Sequence, residues 1–273
     1  MLRGLVLFLL RIIPVPVSRR LKTVPFFNRL YRILFERGIG NEGEIVEVRS
    51  GPLRGVKLVI GPPITHAQIN GTYERDVVEA IDRLLQPGAV CYDLGASTGY
   101  LSLLMARKAR KVFAFEPTPQ AAEWIGTYAK ANGFDNIEVV PEVVSDAEKT
   151  VVFSMTGLGY GSQVVDASDH DPRWKHVERR TITLDGFAGT HPAPDLIKID
   201  IEGQEGNALC GAERLLSAKR PLICCEIHDL NNARQVEEVL ARHRYRICRL
   251  DGSPFEMPRS IYPGDFHVLC LPL

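Results

Sequence analysis

Asp93, Gly95 and Gly99 form an Asp-x-Gly-x-x-x-Gly run at the end of the apolar stretch Val90-Cys91-Tyr92, and Glu116 closes a second apolar stretch, Lys111 to Phe115. The glycines tolerate positive φ and let a ligand approach bare backbone, so a nucleoside cofactor can lie against a helix beginning near Thr98. Glu116 follows Gly99 by seventeen residues, which puts it at the tip of an adjacent strand. A carboxylate there can accept hydrogen bonds from both hydroxyls of a ribose, each contributing roughly 1.5 to 3 kcal/mol. A dinucleotide site would instead show Gly-x-Gly-x-x-Gly, to bring bare backbone against a pyrophosphate. Asp93 would repel a pyrophosphate; it suits the cationic end of S-adenosyl-L-methionine, directly or through water.

A second set of chemical groups lies further on, in Ile197-Lys198-Ile199-Asp200-Ile201-Glu202-Gly203-Gln204-Glu205 and in Cys224-Cys225-Glu226-Ile227-His228. Strand alternation puts Lys198, Asp200 and Glu202 on one side with the isoleucines on the other, and gives Glu226 and His228 a common face. If both strands flank the cofactor strand, Asp200, Glu202, Glu226 and His228 project into the crevice beyond the sheet's carboxyl edge, where open α/β sheets bind ligands. The leading reading is acid–base work on an acceptor hydroxyl. His228 would be the base, oriented by Glu226 or Glu202, contributing about 10² to 10⁴ in rate. A divalent-metal site built from Asp200, Glu226 and His228 is also chemically allowed. A purely structural arrangement would pair Lys198 with Asp200 and let Glu205 cap the following helix.

The elements that must position these groups are legible as alternating apolar runs. Strands are expected over residues 89 to 93, 111 to 115, 137 to 144, 150 to 155, 195 to 201 and 221 to 227, and near 246 to 250 and 267 to 271. Helices are expected over 26 to 37, 73 to 85, 98 to 109, 119 to 132, 204 to 217 and 232 to 243, with a small hairpin of residues 44 to 49 and 56 to 60 around Gly51-Pro52. Strands alternating with helices mean a largely parallel sheet, and the final pair, joined without a helix, predicts an antiparallel edge hairpin. Between Thr156 and Thr181 the pattern lapses into a polar, glycine-containing segment with Tyr160, Trp174 and His176, which reads as a substrate lid, with a mobile insertion as the alternative.

The 273 residues are 45% hydrophobic, enough for one enzyme domain, and 33 basic residues balance 33 acidic ones, so no global field points to nucleic acid. The balance is uneven: residues 1 to 37 hold eight arginines and lysines against Glu36, a local charge of +7. Their apolar stretches are broken by Arg11, Pro14 and Pro16, too short for the roughly 20 residues of a membrane span, which leaves a surface-lying anchor or a helical arm packed on the core or on a second subunit. The six cysteines sit mostly in apolar runs without a Cys-x-x-Cys pair, as expected of buried free thiols in a reducing cytosol.

Gly71-Thr72-Tyr73-Glu74, the Asp93 to Tyr100 run, Phe115-Glu116-Pro117, Thr183-Leu184-Asp185, the Ile197 to Glu205 run, Gly211-Ala212 and Glu226-Ile227-His228 together resemble the FkbM-type S-adenosylmethionine-dependent methyltransferases, over roughly residues 70 to 230. The resemblance implies a Rossmann-like class I methyltransferase fold, a seven-stranded mostly parallel sheet with an antiparallel edge hairpin, here with an N-terminal helical and hairpin extension. It also implies Asp93, Gly95 and Glu116 at the cofactor, and methyl transfer to oxygen on small-molecule, sugar or glycan acceptors. Ser97 and Gln204 depart from it, since the family commonly has Asn at the first position and a small residue at the second.

The expected cofactor set is therefore Tyr73, Asp93, Gly95, Ala96, Ser97, Gly99, Tyr100, Glu116, Pro117, Glu142, Val143 and Asp200. The expected catalytic set is Asp200, Glu202, Glu226 and His228, with no residue assigned as a metal ligand. Residues 1 to 65 are expected as a basic arm and hairpin and 66 to 273 as the methyltransferase domain, cytoplasmic, with peripheral contact at the inner membrane face through residues 1 to 37. The expected partner is a small-molecule, sugar or lipid-linked glycan acceptor and not a nucleic acid. A nicotinamide oxidoreductase would share the fold but lacks here its third close glycine and a Tyr-x-x-x-Lys element. A non-catalytic membrane-surface protein with a retained nucleoside pocket is the other alternative.

Overall fold

Apolar runs and helix punctuation divide the chain much as the residue pattern predicts, in a computed structural model that describes residues 41–155, 161–165, 174–260 and 264–273. The basic arm, the helix expected over 26 to 37 and Tyr160 lie outside the described residues. The first strands, Ile45–Glu47 (β1) and Lys57–Val59 (β2), pair antiparallel. Helices His66–Asn70 (α1) and Arg75–Leu84 (α2) lead to Val90–Leu94 (β3), Tyr100–Ala106 (α3), Lys111–Phe115 (β4), Pro119–Asn132 (α4) and Ile137–Val140 (β5). Proline at the first helical position and left-handed Gly133 after the last one set the limits of α4. Pro141, which has no N–H to continue a ladder, separates β5 from Val143–Val144 (β6), so the strand expected over 137 to 144 is two.

Thr150–Met155 (β7), Gln163–Val165 (β8), Lys175–Ile182 (β9) and Leu184–Ala188 (α5) precede Leu196–Ile199 (β10). The helix expected over 204 to 217 is also split, into Glu205–Cys210 (α6) and Glu213–Ala218 (α7). Gly211 lies so close to the Ser145 carbonyl that an added Cβ would stand 2.2 Å from its oxygen. The Gly211 carbonyl accepts from Asp185 N, while the Asp185 carboxylate accepts from Arg214 N and Leu215 N at 2.8 and 2.9 Å and so caps α7. Leu222–Ile227 (β11), Leu230–Arg242 (α8), Tyr245–Cys248 (β12) and Phe266–Pro272 (β13) complete the order.

The main sheet has seven strands in the order β12-β13-β11-β10-β3-β4-β5. β11, β10, β3, β4 and β5 run parallel, and β13 enters antiparallel between β11 and β12, forming the expected edge hairpin. All residues of β3 and β10 are buried, as the apolar runs of strands covered on both faces require. Tyr92 packs edge-on against Phe113 and Phe187 and donates its hydroxyl to Pro192 O at 2.9 Å.

The hairpin β1–β2 shares an apolar core with α3 and α4 through Val56, Leu58, Leu103, Met105 and Tyr128. A continuous core therefore runs across the boundary expected at residue 65. A second sheet, β6-β9-β7-β8, takes in residues 163–165 and 175–181 of the segment read as a lid, much of the rest of which lies outside the described residues. Its strand β9, Lys-His-Val-Glu-Arg-Arg-Thr-Ile, carries little apolar alternation and is held by pairing with β7 over six residue pairs. All six cysteines are free, five of them buried, and no helix of the described residues is long and apolar enough to cross a membrane.

Candidate active site

The strand order switches at β3: the chain adds β4 and β5 outward on one side, then returns to lay β10 and β11 on the other, all five strands parallel. A cavity of about 320 Å³ opens beyond the carboxyl ends of these strands, with Val143 and Val144 of β6, Phe153 and Val164 of the small sheet forming part of its wall. At the end of β3, Gly95 takes φ +71°, and a Cβ there would stand 1.8 Å from the Asp200 carbonyl oxygen, so only glycine lets the β3 and β10 turns meet. Glu116, one residue beyond β4, is 4% exposed, and its two oxygens accept from Ser97 N and Thr118 N, each at 2.8 Å. Burial pushes its carboxyl up to about 7 against those hydrogen bonds.

Tyr73, Gly95, Ser97, Glu116, Pro117, Glu142, Val143, Asp200, Glu202, Glu226 and His228 all line this cavity. Ala96 and Tyr100 line a smaller adjoining cleft, where the Tyr100 hydroxyl donates to Gln68 O at 3.2 Å and its ring meets Tyr73 edge-on. Gly99 is the left-handed residue before α3 and packs on Ile125.

Asp93, expected at the cofactor, does not line the crevice. It is 0% exposed and reaches neither cavity. Its carboxylate accepts from Ser102 Oγ and lies 3.5 Å from Lys198 Nζ, because β3 is covered on both faces and the register sets Lys198 beside it. Lys198 also lies 3.4 Å from Asp200 and donates to the carbonyls of Gly95 at 2.9 Å and Leu94 at 3.3 Å. Burial by itself would lower the lysine's pKa, but Asp200 and Asp93 outweigh it and keep the ammonium charged. Asp93 thus acts on the crevice through Lys198, which ties the ends of β3 and β10 together. Lys198→Met, which leaves Asp93 buried without its cation, is expected to destabilise the fold by about 3 to 5 kcal/mol, read from urea denaturation midpoints.

The orientation of His228 also differs from expectation. Neither Glu226 nor Glu202 holds the ring: its Nδ1 lies 2.9 Å from Oε1 of Glu205, which is 0% exposed. Glu205 Oε1 also accepts from Ile201 N and Gly203 N, and Oε2 accepts from Asn232 Nδ2. Two consecutive left-handed residues, Glu202 at φ 54° and Gly203 at φ 93°, turn the chain so that Glu205 reaches the imidazole. His228 Nε2 faces the cavity, 3.6 Å from Asp200 Oδ1 and 3.8 Å from Glu202 Oε2. Burial would lower its pKa; the Glu205 hydrogen bond and charge, with Asp200 and Glu226, prevail and carry it up to about 9.

Glu226 pairs instead with His267 at 3.3 Å, since the antiparallel register sets these two residues opposite each other. Burial opposes the His267 charge and Glu226 restores it, so its pKa is raised. Asp200 is held below its usual value: burial would raise it, but Lys198, His228 and His267 dominate. Asp200, Glu226 and His228 each bring one ligand atom to within 4.8 Å of the others, so the same trio could hold a divalent ion. Glu205, given only a helix-capping role by the sequence, and His267 and Glu74, given no role by it, join the site. Glu74 and Glu205 stood inside runs already singled out, whereas no local spacing marks His267.

A family model described as the methyltransferase FkbM domain matches residues 93–247. An uncharacterized protein of Methanocaldococcus jannaschii is 36% identical over 87 residues, 31% of this chain, and the match spans 34% of that relative's length. Among solved structures, an FkbM methyltransferase from Methylobacillus flagellatus is 19% identical with a TM-score of 0.43, covering 76% of this chain and 53% of that one. A precorrin-6y C5,15-methyltransferase from Geobacter metallireducens is 16% identical with a TM-score of 0.45, covering 72% and 87%. A Pyrococcus abyssi tRNA (uracil-54, C5)-methyltransferase in complex with S-adenosyl-L-homocysteine is 16% identical with a TM-score of 0.47, covering 85% and 45%. With the FkbM domain matched over residues 93–247, more than half of its 273 residues, the chain belongs to the FkbM methyltransferase family.

Proposed function

We propose that this protein moves a methyl group from S-adenosyl-L-methionine to a hydroxyl of a small-molecule, sugar or glycan acceptor. The observation that supports this reading is a single cavity that contains both the Glu116 carboxylate and the Asp200–His228 cluster. Its residues fit the cofactor: the glycine turn leaves backbone bare at Gly95, and each Glu116 oxygen has an acceptor direction left beyond its backbone bond. Glu116 would hold the ribose. When bound, the cofactor supplies a methyl group on a cationic sulfur that becomes neutral as the methyl leaves.

The chain's own residues then align the acceptor and remove its proton. Asp200, anionic and facing the cavity, accepts the acceptor's hydroxyl and fixes its direction; alignment of this kind can lower a barrier by about 7 to 11 kcal/mol. His228 Nε2, with Nδ1 fixed by Glu205, takes the hydroxyl proton in its neutral form. With a pKa of about 9, only about one ring in a hundred is neutral at pH 7. Turnover at saturating substrates is therefore expected to climb close to tenfold per pH unit from pH 7 and to level off near pH 9. A profile flat over that range would remove His228 as the proton acceptor.

The chemistry itself is tested with methyl-labelled cofactor and a pool of hydroxyl-bearing acceptors. Label recovered in an ether stable to mild base is the expected product. Label on nitrogen or carbon would replace the hydroxyl reading.

A further inference from the structure

Glu74 has no part in the reading above, although three cavities meet at its side chain. It immediately precedes α2 with φ 42° and ψ 44°, a left-handed conformation that is unfavourable for any residue except glycine. Tyr73 hydrogen-bonds its carboxylate, yet Oε2 is buried and has no hydrogen-bond partner among the described residues. A buried acceptor left open in this way points to a donor that is not part of the chain. Burial raises its pKa, against the charges of Lys198 and His267, so the buried carboxyl is one that a further donor or cation would stabilise in its ionised form.

The position of Glu74 identifies which end of a ligand it meets. Glu116 lines the main cavity alone, whereas Glu74 lines both this cavity and the adjoining cleft of about 30 Å³, each time with Gly95, Ser97 and Asp200. Glu74 and Asp200 thus share the main cavity with Glu116 but reach beyond it into the cleft, which Glu116 does not line. Of these two carboxylates, Asp200 is already within ion-pair range of Lys198 and His228, and Glu74 has the open oxygen. A buried carboxylate oxygen of this kind is best satisfied by an ammonium, whose charge and N–H donors it needs together.

We infer that Glu74 accepts the α-ammonium of the cofactor's amino-acid end, so that two carboxylates of one cavity, Glu74 and Glu116, grip one ligand. This rests on the crevice being a site for S-adenosyl-L-methionine, and the experiment separates the two claims. Wild-type protein and Glu74→Gln are titrated calorimetrically with S-adenosyl-L-homocysteine and with its desamino analogue, in which hydrogen replaces the α-amino group.

Glu74→Gln is expected to weaken the aminated ligand about ten- to a hundredfold and the desamino analogue less than about threefold. Equal changes for both ligands, or no change for either, would overturn the assignment. Should Glu74→Gln not fold, judged by circular dichroism, the ratio of the two affinities in wild type and in Glu74→Asp decides: a ratio near one in wild type overturns it. Wild-type protein that binds neither ligand removes the cofactor reading, and this assignment with it; wild-type protein that binds both equally removes only the assignment.

Discussion

Glu116→Ala is expected to weaken S-adenosyl-L-methionine about 10²- to 10⁴-fold, because two charge-assisted hydrogen bonds to ribose disappear, each contributing roughly 1.5 to 3 kcal/mol. The loss is specific to the ligand only if the turn survives. Glu116 also accepts from Ser97 N and Thr118 N, so alanine leaves two N–H groups without their acceptor, and a lower melting temperature should accompany the affinity change. Glu116→Gln, which retains one acceptor oxygen, should fall between wild type and alanine. The carboxyl's pKa of about 7 adds a signature in pH. Ribose hydroxyls favour the ionised form, so binding should release a proton near pH 6 to 7 and weaken as pH falls through that range. Calorimetry in buffers of different ionisation enthalpy measures this; affinity for the alanine variant within about threefold of wild type would mean that ribose is held elsewhere.

His228→Ala should lower turnover about 10²- to 10⁴-fold near pH 9 while leaving cofactor affinity within a few-fold of wild type. The ring touches Glu205, Asp200 and Glu202 but none of the groups around Ser97 and Glu116. The variant's residual rate should also lose its rise between pH 7 and 9. A stability effect runs in the opposite sense. Because the folded pKa lies above the unfolded 6.5, the charged ring stabilises the fold fully below pH 6.5, and this contribution fades as pH rises through about 9. Wild type should therefore lose denaturation midpoint across that interval, and His228→Ala should lose less, the remainder coming from groups such as His267 whose pKa is also raised. Wild-type turnover in the variant would end the assignment of His228 to catalysis.

The sequence made Glu116 legible because strand, glycine turn and second strand are contiguous, and the distance between tips is fixed by the helix that joins them. His228 and Asp200 were legible for a similar reason, since period-two alternation carries each to a strand's carboxyl end. Partners set by turns and by distant register were not. Glu205 displaces Glu202 as the imidazole's anchor through two left-handed residues that no hydrophobic pattern announces. Asp93 could be assigned to a strand, but whether it faced ligand or lysine depended on its neighbour β10. His267 lies 41 residues beyond Glu226 and meets it only through the antiparallel pairing of β11 and β13. Strand β9 escaped because its side chains are polar and its pairing with β7 supplies the order.

The insertion of β13 between β11 and β12 has a consequence for assembly. Both neighbours are synthesised earlier, so an emerging polypeptide exposes two unsatisfied backbone edges until residues 266–272 arrive to bridge them. Closure of that gap also delivers His267 to Glu226. Maturation of the pocket is thereby coupled to completion of the sheet, and partly made chains would combine sticky edges with an unfinished acidic centre.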